Sequence, residues 1–269
     1  MANNQADVHR ALPNQPEELR AGIHLVHHEV GGIGRARALG LAREGADVCI
    51  TYSSHDSEAD TFMKEAEKLG RKAFKFRIDQ SSIEKVPSLM GFVEKEMGHI
   101  DVLVNNAGIC PFRDFFDIDV GLFEKVMKVN VESHYFITQA VSRKMIESGI
   151  RGRILFISSI SAIVGGEFQT HYTITKSGLN GLVHSLAIVL GKHGILVNSL
   201  EPGTILTDIN AEDLSDMEKR KYMENRTAVK HLGLPEDMVE PALFLLSDRN
   251  TYVTGTELLA DGGMLVNLQ

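Results

Sequence analysis

What most constrains the fold of this chain is an alternation of short apolar runs with longer helical patterns, sustained from Gly22 to the C-terminus. IHLV precedes GIGRARALGLAREG, ADVCITY precedes EADTFMKEAEKLG, KAFKFRI precedes SSIEKVPSLMGFVEKEMG, and DVLVNNAG precedes a helical pattern from about Val120 to Ser148. RILFISS, a helix from about Thr170 to Lys192, and ILVNSL continue the series; TELLADGGMLVNLQ, after the helix containing PALFLLSD, adds an edge strand. Runs so short and so continuous in Val, Ile and Leu suit strands covered on both faces. The pattern therefore predicts an α/β fold, a doubly wound parallel sheet of about seven strands with helices on both sides. In such a sheet the ligand crevice lies at the carboxyl ends of the strands.

With 269 residues, 43% of them hydrophobic, the chain can fill one large core, and we expect a single domain over residues 21–269. Residues 1–20 are polar, carry two prolines and show no periodicity, so they read as an extension without a function of its own. The formal charge is −8 and no Lys/Arg-rich run stands out, which argues against nucleic acid and anionic membranes as partners. Cys49 and Cys110 lie in apolar stretches, and neither a signal region nor a membrane-spanning run is visible, so a reduced, cytoplasmic protein is expected.

Several residue groups fall at the expected carboxyl ends. Gly32-Ile33-Gly34 opens a helix whose N-terminal N–H groups and dipole favour an anion, although the glycines would equally serve close helix–strand packing. Asn105-Asn106-Ala107-Gly108 ends the fourth strand with small, amide-bearing residues that let a flat ligand approach the backbone, or form an ordinary turn. Asp79, after the third strand, could accept from an adenine amino group or cap the next helix. Tyr172 and Lys176 stand one helical turn apart, which brings an ammonium beside a phenol. A neighbouring cation favours phenolate, lowering a reference pKa of about 10 by roughly one to three and moving the tyrosine towards acid/base chemistry. Ser159, at the end of RILFISS, could point into the same crevice and bond a substrate oxygen.

The order GxG, NNAG, Ser, YxxxK, PG resembles the classical short-chain dehydrogenase/reductases, which have a Rossmann-type fold, and the resemblance runs from about residue 20 to the C-terminus. It implies that Ser159 orients the reacting oxygen, Tyr172 transfers the proton, Lys176 lowers the tyrosine pKa and holds the nicotinamide ribose, and Asn130 in KVNVES anchors a water joining Lys176 to solvent. It also implies a nicotinamide cofactor, NAD or NADP, held by Gly32, Ile33, Gly34, Asp79, Asn106, Ala107, Gly108, Tyr172, Lys176, the backbone after Pro202-Gly203 and the Thr207 hydroxyl. Within the family, ISSISAIVGGEFQTHYTITKSG, PGTILTDIN and VTGTELLADGGMLVNLQ look most like sugar 1-dehydrogenases of the L-rhamnose type, which oxidise an aldose to a lactone. Ser161, Gln169 and Asn210 would suit a polyhydroxylated substrate, or could satisfy their own loops; we favour a substrate role for Ser161 and Gln169. Family members are commonly tetramers, packed through the helices near 120–148 and 170–192. The segment from about Gly203 to Arg226 reads as a loop that closes over the site.

One motif departs from the family. TGxxxGIG is here His27-His28-Glu29-Val30-Gly31-Gly32-Ile33-Gly34, so the threonine and the first glycine are replaced by histidines, and Glu29 would disfavour a pyrophosphate. The second strand ends Thr51-Tyr52-Ser53-Ser54, with neither an acid for the 2′-hydroxyl of NAD nor an arginine for the 2′-phosphate of NADP, leaving His55 as the candidate cation. Adjacent His27 and His28 point to opposite faces of an extended segment, and no metal site is expected. The leading expectation is an NAD(P)-dependent oxidoreductase acting on a sugar-like molecule. The alternatives are a cofactor-independent elimination, isomerisation or cyclisation on the same fold, suggested by the altered loop, and a non-catalytic binding protein.

Overall fold

The computed structural model describes residues 22–27 and 32–267. The polar leader and positions 28–31, which carry His28, Glu29 and Gly31, lie outside the described residues. Seven strands form one sheet: β1 (Ile23–His27), β2 (Asp47–Tyr52), β3 (Ala73–Arg77), β4 (Val102–Asn105), β5 (Arg153–Ile157), β6 (Leu196–Pro202) and β7 (Glu257–Ala260). Their spatial order is β3-β2-β1-β4-β5-β6-β7 and every pairing is parallel, as the sequence pattern predicts. The order reverses between β1 and β4, and in a sheet of this winding the ligand crevice lies outside the carboxyl ends of the strands at that point.

Alternate residues of the same strand feed two cores. Val26, Val48, Ile50, Val102, Val104, Leu155 and Ile157 pack beneath α1 (Gly32–Arg43), α2 (Asp56–Lys68) and α8 (Val239–Leu246). Leu25, Cys49, Leu103, Ile154, Phe156 and Val197 pack on the other face, beneath α3 (Val86–Glu96), α5 (Ser133–Glu147) and α6 (Thr170–Gly191). Two covered faces explain why these strands lack the apolar/polar alternation of half-exposed ones.

The helical pattern over 120–148 is not one regular helix. It divides into α4 (Val120–Met127), a π-helical turn at Lys128–Glu132, and α5, with Asn130 in the turn. Such single π turns commonly mark functional sites. The segment expected as a loop from Gly203 to Arg226 contains two 3₁₀ turns and a helix of its own, α7 (Met217–Arg226), started by the Asp216 side chain accepting from the Glu218 and Lys219 amides. Among the described residues no helix is long and apolar enough to cross a membrane, and no group of three metal-ligating side chains assembles.

Candidate active site

Three segments bring the catalytic candidates together. β5 ends at Ile157, and Ser159 follows in extended backbone as the cap of a 3₁₀ turn, its Oγ accepting from the Ser161 amide at 3.1 Å. The Ser159 side chain also hydrogen-bonds the Tyr172 phenol. Tyr172 lies in the first turn of α6 and Lys176 one turn further, its Nζ 5.4 Å from the centre of the tyrosine ring. That ammonium donates to the Ile157 carbonyl at 2.8 Å, which ties α6 to the end of β5.

The electrostatics differ from the expectation that Lys176 lowers the tyrosine pKa. Burial pushes the Tyr172 phenol up, with the nearby Cys110 thiol adding to the rise and the Ser159 hydrogen bond opposing it. Burial also pulls Lys176 down, to about 8. Loss of water disfavours both charged forms, and for each group it is the largest cause of the shift.

Asn130 is fully buried and its amide is committed to protein. Oδ1 accepts from the Ile109 amide at 2.9 Å, while Nδ2 donates to the Ile109 carbonyl at 2.9 Å and to Thr175 Oγ1 at 3.1 Å. It thus clamps the backbone after NNAG and joins the π turn to α6. A Cβ at Gly108 would lie 3.6 Å from both Asn130 Oδ1 and Lys176 Nζ, which places this strand end beside the two side chains. Asn105 is buried, its Nδ2 donating to Thr138 Oγ1 at 2.8 Å.

The cofactor candidates converge on the same crevice from both halves of the sheet. Gly32 opens α1 with a φ of 48°, a left-handed conformation that favours glycine, and a Cβ there would lie 3.2 Å from Thr207 Cγ2. The helix N-terminus, with Ile33 and the buried Gly34, therefore faces the segment after β6. Thr207 caps a 3₁₀ turn with Asn210, whose Oδ1 accepts from the Thr207 amide at 3.1 Å and whose Nδ2 donates to the Ile205 carbonyl at 2.9 Å. Asn210 thus satisfies its own loop. Pro202 ends β6, and the Gly203 amide donates to the Ala260 carbonyl of β7 at 3.0 Å. An anion-favouring helix start, the small Ala107 and Gly108 at the end of β4, and Thr207 packed close to Gly32 fit a dinucleotide laid across the switch point.

Two candidates take local partners. Asp79 Oδ1 accepts from the amide and hydroxyl of Ser81 at 2.8 and 2.7 Å, which holds its carboxyl below the usual range and makes it a turn clamp. Ser161 Oγ donates to Gln169 Oε1 at 3.2 Å, so the two expected substrate ligands bond one another at the mouth of the loop leading into α6.

Sequence reasoning missed three residues. Arg77 ends β3 opposite Tyr52, and its Nε donates to the Ser53 carbonyl at 3.1 Å; an arginine therefore does stand beside the end of β2, correcting the expectation that His55 alone does. The signal was available, because β2 and β3 are neighbours in any sheet of this winding. Cys110 sits within the electrostatic reach of Tyr172 and Lys176, with burial pushing its thiol up to about 12. Arg37, on α1, is almost completely buried and donates to Asn106 Oδ1 at 2.7 Å. Its position three after Gly34 and four before Leu41 places it on the apolar stripe of the helix.

Residues 29–265 match the model of a family described as enoyl-(acyl carrier protein) reductase. An L-rhamnose 1-dehydrogenase (NADP(+)) of Thermoplasma acidophilum is 70% identical over 241 residues, 88% of this chain and 94% of that protein. An L-rhamnose 1-dehydrogenase (NAD(P)(+)) of a Sphingomonas strain is 50% identical over 238 residues, again 88% and 94% of the two chains. The crystal structure of a short-chain type dehydrogenase/reductase from Mycobacterium marinum superposes with a TM-score of 0.86 at 29% identity, covering 92% of this chain and 96% of the other. With that sheet order, that crevice and these relatives, the chain is an oxidoreductase and belongs to the short-chain dehydrogenase/reductase family.

Proposed function

We propose that this enzyme oxidises the anomeric carbon of L-rhamnose or a closely similar aldose to the lactone, with Tyr172 accepting the hydroxyl proton. The observation that carries the reading is the Ser159–Tyr172–Lys176 cluster at the end of β5, in a chain 70% identical to a protein of that named activity. In the oxidation the C1–H bond breaks with its electron pair and the C1–O bond becomes a carbonyl. The nicotinamide of the bound dinucleotide supplies the hydride acceptor. Ser159 holds the reacting oxygen, the Tyr172 phenolate takes its proton, and Lys176 and Asn130 keep α6 registered against β5 and the NNAG backbone. Rotation of the Ser161–Gln169 pair would offer both groups to sugar hydroxyls.

The residues suited to hold the dinucleotide are Gly32 to Gly34, Asn106 to Gly108, Gly203, Thr207 and Lys176. NADP is the reading favoured by Arg77, which stands beside the end of β2 with its Nη1 also 3.4 Å from Asp56 Oδ2, since a 2′-phosphate needs a positive partner there. The relatives' names support redox chemistry over a cofactor-independent elimination or cyclisation. Exposed Phe123, Tyr135, Phe136 and Ile174 on α4, α5 and α6 support a homo-oligomer built through those helices. The test is to incubate the enzyme with L-rhamnose and NADP+ and trap the product with hydroxylamine. A hydroxamate formed in step with NADPH supports the assignment; turnover of neither L-rhamnose nor any of a panel of aldoses contradicts it.

A further inference from the structure

Arg37 is the anomaly of the molecule. It is 1% exposed, yet among the described residues no carboxylate bonds to it. A helical side chain of this length runs back towards the helix N-terminus, and this one does: Nε donates to the Ile33 carbonyl at 3.3 Å, one turn earlier. Nη2 reaches across to Asn106 Oδ1 at 2.7 Å, and Nη1 is buried without a hydrogen-bond partner. Burial pulls the guanidinium down to about 9, and its charge in turn helps depress Lys176 across the crevice. At neutral pH a full positive charge therefore lies under the first turn of α1, in surroundings where charge acts over a longer range than in water.

We propose that Arg37 is a positioning residue for the dinucleotide diphosphate: it adds a fixed cation to the α1 N-terminus and sets the Asn106 amide so that its N–H₂ is left for the ligand. The proposal rests on the reading of the crevice as a dinucleotide site. A guanidinium has only donors, so Asn106 must turn its oxygen to Arg37 and keep both N–H donors uncommitted. An anion brought to the helix start supplies a negative charge that none of the described residues gives Arg37. The cost of burying the arginine and the gain on binding an anion then come from one charge, and removing it shifts them in opposite directions.

Binding of NADPH, ADP and adenosine is measured for the native enzyme, Arg37→Met and Arg37→Lys, with the melting temperature of each ligand-free protein. Arg37→Met is expected to weaken NADPH and ADP by about tenfold to a hundredfold, the range of one charge-assisted interaction, and to flatten their salt dependence. Adenosine binding stays within twofold, the ligand-free protein melts no lower than native, and Arg37→Lys restores most of the ADP affinity. Unchanged ADP binding in Arg37→Met overturns the proposal. So does an equal loss for adenosine accompanied by a fall in melting temperature, the result for a mere packing brace. If ADP binds with this dependence but NADPH does not, the anion role stands and the dehydrogenase reading fails. If no phosphate-bearing ligand binds the native enzyme, both fall.

Discussion

On the β5–β6 side of the crevice each functional side chain is tied to a protein partner: Ser159 bonds Tyr172, Lys176 bonds the Ile157 carbonyl, Asn130 clamps the Ile109 backbone and Thr175, and Asn210 folds back on the Thr207 amide. On the β1–β2 side the corresponding devices differ from the family's: His27 and His28 stand where its motif has Thr and Gly, and a buried arginine braces α1 to Asn106. The first side is cross-linked through at least three elements, so one substitution there disturbs several partners at once. The second relies on backbone N–H groups and on charge, which tolerate more than one side-chain solution. A proton-transfer apparatus can stay intact while the loop beside it changes, because the two are fixed to different strands.

That contrast can be broken first at its strongest point. Tyr172→Phe should lower the oxidation rate by roughly 10²- to 10⁴-fold while NADPH binding stays near native, a split read from steady-state kinetics beside a direct titration. On the proposed role the same residue should set the pH profile. Burial raises its pKa, so the phenolate would be scarce at neutral pH and would gain about tenfold per pH unit. Oxidation should climb with pH through neutrality into the alkaline range, and the reverse reduction, which needs the phenol, should not; a flat oxidation profile would speak against Tyr172 as base.

Asn130→Ala comes next. It strands the Ile109 N–H and carbonyl at a half-buried site, where each unsatisfied group costs at most about 1–3 kcal/mol. Thermal unfolding should shift down by several degrees, with activity falling alongside it, whereas an equivalent change on the β1–β2 side should move dinucleotide affinity and leave the melting temperature alone. The smallest effect is expected from Thr207→Val. Its methyl near Gly32 is kept and its hydroxyl lost, so KM for the dinucleotide should rise a few-fold with kcat little changed.

The layers were legible in the sequence because both faces of every strand are covered, which leaves Val/Ile/Leu runs that hardly any other arrangement produces. Tyr172 and Lys176 were legible because a helix turns spacing into proximity. The π turn was not, since one extra residue in a turn barely disturbs the apolar period of α4 and α5; its register is held by the Asn130 clamp on a segment 21 residues away in sequence. Arg37 was missed for a different reason: an arginine on a helix is normally read as solvated, and its place on the buried stripe emerges only when Gly34, Ala38 and Leu41 are laid out around the helix. The direction of the Tyr172 shift was missed because spacing shows which charge is near but not how much water is lost.

The central claim is that the changed first half of the glycine loop has not cost the enzyme its dinucleotide, because α1, Arg37 and the β4 and β6 strand ends still hold it. Direct titration of the purified protein with NADPH and NADH, followed by fluorescence, tests this without depending on the sugar. The account predicts saturable binding well below millimolar concentration, tighter for NADPH. It is contradicted if neither dinucleotide binds at millimolar concentration while a His27→Thr, His28→Gly variant binds both.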